Sequence, residues 1–181
     1  SDQGLEPTQL AGINQFYDDP NGTVSEGGGL AADFALSADV HAGLQLTRRN
    51  LDTPITLAGD VFFQERTEKA ASGYLYWLPT SRFSVAMEPR YQEFEGGAVF
   101  DTMELTEVPL SVRYFAPSGL WAGVSVTGVK QSGDFDTPAG VVAGSDDFVL
   151  LDAIVAYRLP RRMGTISLEG NNLLDEQFQF Q

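Results

Sequence analysis

The chain has 181 residues, with 25 acidic and 11 basic side chains, which give a formal charge of −14. This acidity excludes a general nucleic-acid binder, because neutralising phosphates requires clustered cations. Cysteine is absent and His41 is the single histidine, which argues against thiolate chemistry, multi-histidine metal sites and histidine catalysis. We therefore expect a non-enzymatic protein without a cofactor.

No run approaches the ~18 consecutive apolar residues of a membrane helix, so any membrane crossing would be made by β-strands. The acidic, polar first residues lack the basic and apolar regions of a signal peptide, as expected of a mature, truncated or intracellular chain. The length predicts one domain over 1–181 or a fragment of one, with an N-terminal extension at 1–7.

Alternation of apolar and polar residues with period two recurs along the chain and predicts strands. In the second of them Leu30 and Phe34 oppose Asp33, and in a later one Val112 and its apolar neighbours oppose Arg113. Nine strands are predicted, at 8–17, 30–36, 40–47, 70–78, 83–90, 108–114, 120–127, 149–158 and 165–171.

The predicted connections alternate between two kinds. Short turns are predicted at 37–39, 79–81, 116–119 and 160–164. Long acidic loops are predicted at 18–27, 50–69, 93–107 and 131–147. Short turns at one end and long loops at the other are typical of bacterial outer-membrane barrels. The sequence therefore predicts an all-β, antiparallel up-and-down transmembrane β-barrel in the bacterial outer membrane, in contact with its lipid.

Segments 157–162 and 166–176, together with 11–19 and 73–79, resemble the C-terminal barrel of TonB-dependent-receptor-like outer-membrane proteins, especially those fused to tetratricopeptide repeats. The resemblance implies a further closing strand, which is missing here. It also implies a periplasmic repeat-containing region or other chains as partners that complete the barrel, with exopolysaccharide or peptide as cargo. Since bacterial single-chain barrels have even strand numbers, nine strands also suggest a fragment or one part of an assembly.

If the apolar stripes face lipid, the opposite faces of the strands line a lumen, where Asp33 and His41 also lie. Six charged residues from the later strands are then expected to form one lumen-lining band: Glu88, Arg90, Arg113, Asp152, Arg158 and Glu169. The band is either a pore lining that selects solutes or a set of ion pairs that fills a narrow barrel.

Two acidic clusters supply oxygen ligands of the kind that Ca²⁺ prefers, although EF-hand spacing is absent. The candidate cation-binding loops contain Asp134, Asp136, Asp146 and Asp147. The alternative is that they are ordinary acidic loop tips.

The leading hypothesis is thus a channel, export or uptake pore with a polar lumen, gated by long acidic extracellular loops. One alternative is a structural or assembly β-protein whose open sheet is completed by another chain, since exposed strand edges are pairing sites. Another is a soluble, acidic, ligand-binding β-sandwich.

Overall fold

The computed structural model describes residues 6–10, 13–17, 21–57, 59–96, 100–137 and 140–177. These residues form the strands β1 (Glu6–Leu10), β2 (Ile13–Tyr17), β3 (Val24–Ala35), β4 (Val40–Leu57), β5 (Asp60–Thr80), β6 (Phe83–Met87), β7 (Arg90–Glu95), β8 (Phe100–Phe115), β9 (Leu120–Thr137), β10 (Gly140–Arg158) and β11 (Thr165–Gly170). A single 3₁₀ turn, Pro160–Arg162, connects β10 to β11. None of the described residues forms a helix long and apolar enough to cross a membrane.

Strands β3 to β11 form one antiparallel meander of nine strands, in which each strand pairs with its neighbours in sequence except at β6 and β7. The predicted all-β antiparallel architecture is therefore confirmed. A β-sandwich would need a second large sheet, and besides the meander the described residues form only the two-stranded sheet β1–β2. The meander ends at β3 and β11, and the predicted closing strand stays a prediction.

Strands β6 and β7 occupy one position in the sheet, because both pair with β5 on one side and β8 on the other. Glu88 and Pro89 separate them, and proline has no N–H to donate to a ladder. Nine strands therefore fill eight positions of the meander. The predicted nine counted 8–17 as a strand of the sheet, and that segment lies outside the meander, so the odd count is no argument for a fragment. The prediction of one strand over 83–90 is corrected to this interrupted pair.

The N-terminal prediction also needs correction. The predicted strand 8–17 is a hairpin of two strands, with Glu6 opposite Tyr17 and Leu10 opposite Ile13. Strand β1 begins at Glu6, inside the predicted extension 1–7.

The four short turns are confirmed, but three of the four long acidic loops are wrong. In the predicted loop 18–27, β3 begins at Val24 after a turn, and 18–20 lie outside the described residues. Strands of 18 and 21 residues run through most of the predicted loop 50–69, and β9 and β10 run through most of 131–147. Strand β8 likewise begins at Phe100, within the predicted loop 93–107. A strand whose two faces are both polar loses the apolar alternation that identifies strands in sequence, which is why these segments suggested loops.

The two faces of the meander differ sharply. Residues opposite each other in register share a face, and successive residues alternate between faces. All the buried side chains of the described residues lie on one face, which we call the inner face: Gln45, Leu51, Thr53, Val129, Gln131, Phe148 and Ala156. Because the described residues form no second large sheet over this face, we infer that the meander curves and encloses it.

The opposite, outer face carries a belt of exposed apolar side chains near the short turns. The apolar belt consists of Leu30, Phe34, Leu44, Leu46, Trp77, Phe83, Val108, Leu110, Val112, Tyr114, Leu120, Val124, Val126, Val149, Val155, Tyr157, Ile166 and Leu168. On β9 the outward positions from Leu120 to Gly128 are uncharged, and the first outward charge is Lys130. The stretch from Leu120 to Gly128 contains nine residues and is about 30 Å long, at roughly 3.3 Å per residue.

Candidate functional site

A hydrogen bond crosses three strands on the inner face near the turn end of the sheet. The Tyr74 hydroxyl on β5 donates to Asp33 on β3 at 2.6 Å, and Gly43 of β4 lies between them in register. A Cβ atom on Gly43 would stand 2.2 Å from the Tyr74 ring. The phenol therefore reaches over β4 only because position 43 has no side chain.

A second phenol continues this arrangement toward the next strand. The Tyr76 hydroxyl donates to Glu88, and the Tyr74 and Tyr76 rings stack with centroids 4.9 Å apart. These groups line a cavity of about 270 Å³ together with Gln45 and Arg90. Gln45 is 6% exposed, so its polar side chain is largely enclosed by this part of the inner face.

A second cavity of about 270 Å³ opens on the inner face between β8 and β11. Its wall includes Arg113, the carboxylates of Asp152 and Glu169, and the hydroxyls of Ser111 and Ser125. It borders the first cavity, since Glu88 lines both.

Glycine again makes room for a long side chain here. Arg113, Gly123 and Ile154 are consecutive in register across β8, β9 and β10. A Cβ on Gly123 would meet the Arg113 side chain at 3.1 Å, so the arginine lies over this glycine. The Asp152 carboxylate accepts a hydrogen bond from the Asn172 backbone N–H at 2.8 Å, which holds it at the cavity wall.

The structure thus brings together most of the predicted charged band. Five members line the two cavities: Glu88, Arg90, Arg113, Asp152 and Glu169. Arg158 lies on the same face, opposite Thr165 in register, but lines neither cavity. Within the described part of the chain no ion pair joins any two of the six, so the predicted alternative of mutually paired charges is not observed. The band offers hydrogen-bonding groups of both signs to a solute.

Sequence reasoning missed the two phenols and Gln45 as site residues. Tyr74 and Tyr76 are two residues apart on β5, within the predicted strand 70–78. Both tyrosines lie an odd number of residues from Trp77, which faces outward on the same strand. The alternation of side chains between faces could therefore have placed them on the inner face. Gln45 lies on the same inward face of β4 as His41, but nothing in the sequence indicates that its side chain is enclosed.

The proposed cation-binding loops are not loops. Asp134 lies in β9, and Asp146 and Asp147 lie in β10, where consecutive residues point to opposite faces. Asp146 is opposite Gln131 on the inner face, and Asp147 is opposite Lys130 on the outer face. The Asp136 side chain lies outside the described part of the structure. Among the described side chains no group of three or more His, Cys, Asp or Glu is placed to hold a metal ion.

Beyond the belt the interior is occupied by packed side chains. The Arg49 guanidinium donates two hydrogen bonds to one Glu68 oxygen, at 2.7 and 3.1 Å. Leu51, Val129 and Phe148 are each at most 5% exposed on the inner face of the same strand halves. The polar cavities therefore lie toward the turn end, and enclosed side chains, both apolar and polar, lie beyond them.

On the outer face, the border of the belt carries an ion-pair cluster. The Lys69 ammonium lies 2.9 Å from Glu93 and 2.8 Å from Glu95. The hydrogen bonds that Lys69 donates to Glu95 and then to Glu93 raise the pKa of Lys69, and the bond donated by Lys69 is the main cause that lowers the pKa of Glu93. All three groups are accessible to solvent, so their contribution to stability is small and screened by salt.

We expect Lys69→Met to raise the pKa of Glu93 toward its ordinary value, measured by NMR titration of the side-chain carboxyl. In the native protein the contribution of Glu93 is present above the ordinary glutamate pKa and is lost as the pH falls through the lowered one. The contribution of Lys69 is present below the ordinary lysine pKa and is lost as the pH rises through the raised one. Lys130→Met, the other lysine, should leave Glu93 unchanged; an unaltered Glu93 in Lys69→Met contradicts the assignment.

No protein-family model matches this chain, and neither the curated proteins nor the solved structures contain a significant match. The resemblance to TonB-dependent-receptor-like barrels therefore rests on the sequence motifs alone.

Proposed function

We propose that this chain is a segment of an outer-membrane β-barrel pore, non-enzymatic, with the apolar belt in lipid and the inner face around a polar passage. The observation that carries the proposal is the sorting of side chains between faces. Monomeric soluble proteins rarely expose contiguous apolar patches above a few hundred Å², and the belt extends over strands at every position of the meander. A strand of nine residues tilted by about 40° has the height of the ~25 Å apolar band of such barrels.

The charged band supports the passage part of the proposal. Arg90, Arg113, Glu88, Asp152 and Glu169 line cavities at the level of the belt, and exposure to water inside a lumen accounts for their lack of mutual ion pairs. Since the acidic segments are largely strands, the gate in this proposal is the set of enclosed inner side chains beyond the cavities, which includes Leu51, Val129 and Phe148.

Tryptophan quenching tests the insertion. The chain has two tryptophans, Trp77 on the outer face at the turn end of the belt and Trp121 on the inner face, stacked on Phe115. In vesicles of brominated lipid, we expect strong quenching of Trp77 in the Trp121→Phe variant. Bromines near the headgroups should quench more than bromines near the bilayer centre, because Trp77 lies at the border of the belt.

The matched variant Trp77→Phe retains Trp121 and should be quenched weakly, since Trp121 faces away from lipid. The same vesicles, loaded with a small permeant ion, report the passage: Phe148→Ala should release the ion faster than the native chain. Equal and negligible quenching of both tryptophans would refute membrane insertion. Quenching of Trp77 without any ion release, in native protein or variant, would refute the pore and leave an embedded protein without a passage.

A second candidate, a structural or assembly β-protein, is favoured by the strand edges and hairpin tips. Strand β11 pairs with only the six residues 153–158 of β10, so most of the β10 edge has no partner strand in the described residues. At the far hairpin tips, exposed apolar side chains also accumulate: Val61, Phe62, Phe63, Val141 and Val142. Self-association of the native chain in detergent, lost when Phe63 is changed to Ser, would favour this candidate.

A further inference from the structure

The eleven basic residues of the chain occupy only three kinds of position. Five arginines face inward, at positions 49, 66, 90, 113 and 158. Arg82, Arg161 and Arg162 lie in the short turns. The remaining three are outward-facing, and each is the first charged outward residue past the belt on its strand: Arg48 on β4, Lys69 on β5 and Lys130 on β9. None lies within the belt.

Two of these outward cations are direct neighbours. Arg48 and Lys69 are opposite each other in register, where like charges destabilise a sheet unless an anion lies between or beside them. Lys69 has Glu93 and Glu95 as its anions, both from β7. Arg48 is exposed and forms no ion pair with any described residue.

The surface beside Arg48 is open and flat. Gly28 of β3 is its other neighbour in register, and a Cβ on Gly28 would meet no atom within 4 Å. One step toward the turn end the register continues with Leu30 opposite Leu46, and both leucines are exposed on the belt. The surface thus combines a cation, a patch without side chains and, next to them, two exposed leucines. This order matches the order of headgroup and acyl chain in a lipid molecule.

We propose that the outer surface at Gly28 and Arg48 binds the phosphate headgroup of an anionic lipid, with an acyl chain along Leu30 and Leu46. The guanidinium of Arg48 is the principal contact, because its planar donors match phosphate oxygens in pairs. Lys69 adds no net positive charge, because it is paired with two glutamates, so Arg48 supplies the attraction. Glu26 is the next outward residue of β3 beyond Gly28 and opposes binding by its charge. This inference rests on the proposed membrane insertion.

The test uses the native chain reconstituted in nanodiscs of phosphatidylcholine mixed with phosphatidylglycerol, with retained lipids counted by native mass spectrometry. Each cation near a lipid surface contributes ~1 kcal/mol, or about fivefold in affinity. We therefore expect Arg48→Gln to lower the preference for phosphatidylglycerol about fivefold and Glu26→Gln to raise it. Arg66→Gln, the same change on the inner face of β5, is the matched control and should leave the preference unaltered.

Free inorganic phosphate, added to the same nanodiscs, distinguishes the two sources of this chemistry and should not compete with the anionic lipid. An unchanged preference in both Arg48→Gln and Glu26→Gln overturns the site, and so does competition by free phosphate. The Trp77 quenching measured in the same discs separates this failure from that of the proposed function. Without quenching the chain is not inserted, whereas quenching with no preference between the two lipids rejects the headgroup site alone.

Discussion

Val124→Arg is expected to lower the free energy of unfolding in a bilayer by about 2–4 kcal/mol, the cost of a charged side chain at the midplane of a barrel wall. Val124 is the middle residue of the uncharged outward stretch from Leu120 to Gly128, and it is 50% exposed on the outer face. A guanidinium there has no hydrogen-bonding partner in hydrocarbon. Urea unfolding of the protein in vesicles, followed by tryptophan emission, measures the change.

The matched control is Ser132→Arg, on the same strand and the same face but beyond Lys130 and outside the belt. At that depth the expected cost is about 0–1 kcal/mol. Equal and small costs at both positions would place the outer face in water and contradict the proposed insertion. A large cost at Val124 in a chain that needs no detergent to stay dissolved would instead indicate a surface covered by protein.

Gly43→Ala is expected to destabilise the protein by about 1–3 kcal/mol, the usual cost of forcing an extra methyl group into a filled space. The new Cβ would stand 2.2 Å from one carbon of the Tyr74 ring and 2.8 Å from a carboxylate oxygen of Asp33. The ring must therefore move and release its hydrogen bond to Asp33, which ties the edge strand β3 to β5 across β4. The same unfolding measurement reports the loss.

A double-mutant cycle assigns the cause of this destabilisation. In a Tyr74→Ala background the added methyl group meets no ring, so Gly43→Ala should then be nearly neutral, and the difference is the coupling energy. Gly128→Ala is the matched control, because a Cβ on Gly128 would meet no atom within 4 Å. If Gly43→Ala lowers the free energy of unfolding equally with and without Tyr74, the contact with the phenol ring is not the reason that position 43 requires glycine.

Period-two alternation predicted the faces of the later strands well. Val108, Leu110, Val112 and Tyr114 were expected to share one face opposite Arg113, and they all lie exposed on the outer face. This succeeds because the outer face of these strands is apolar along the half next to the short turns, so the alternation remains visible in the sequence. The same reasoning gathered five of the six band residues at two adjoining cavities.

The far halves of the strands could not be predicted in this way. Segment 50–69 carries charges on both faces, with Arg49 and Glu68 paired inside while Lys69 is paired outside. No apolar stripe remains to indicate a strand, and only the pairing of two such segments with each other shows it. The Asp33–Tyr74 bond was equally hidden, because it depends on the register of three strands at Gly43.

The shared position of β6 and β7 determines how the two ends of the sheet relate. Eight positions that alternate in direction leave the first and last strands, β3 and β11, running opposite ways. Among the described residues, a direct ladder between these two strands would therefore be antiparallel, like every other ladder in the meander. A protein that completed the sheet with antiparallel ladders alone would contribute an even number of strands.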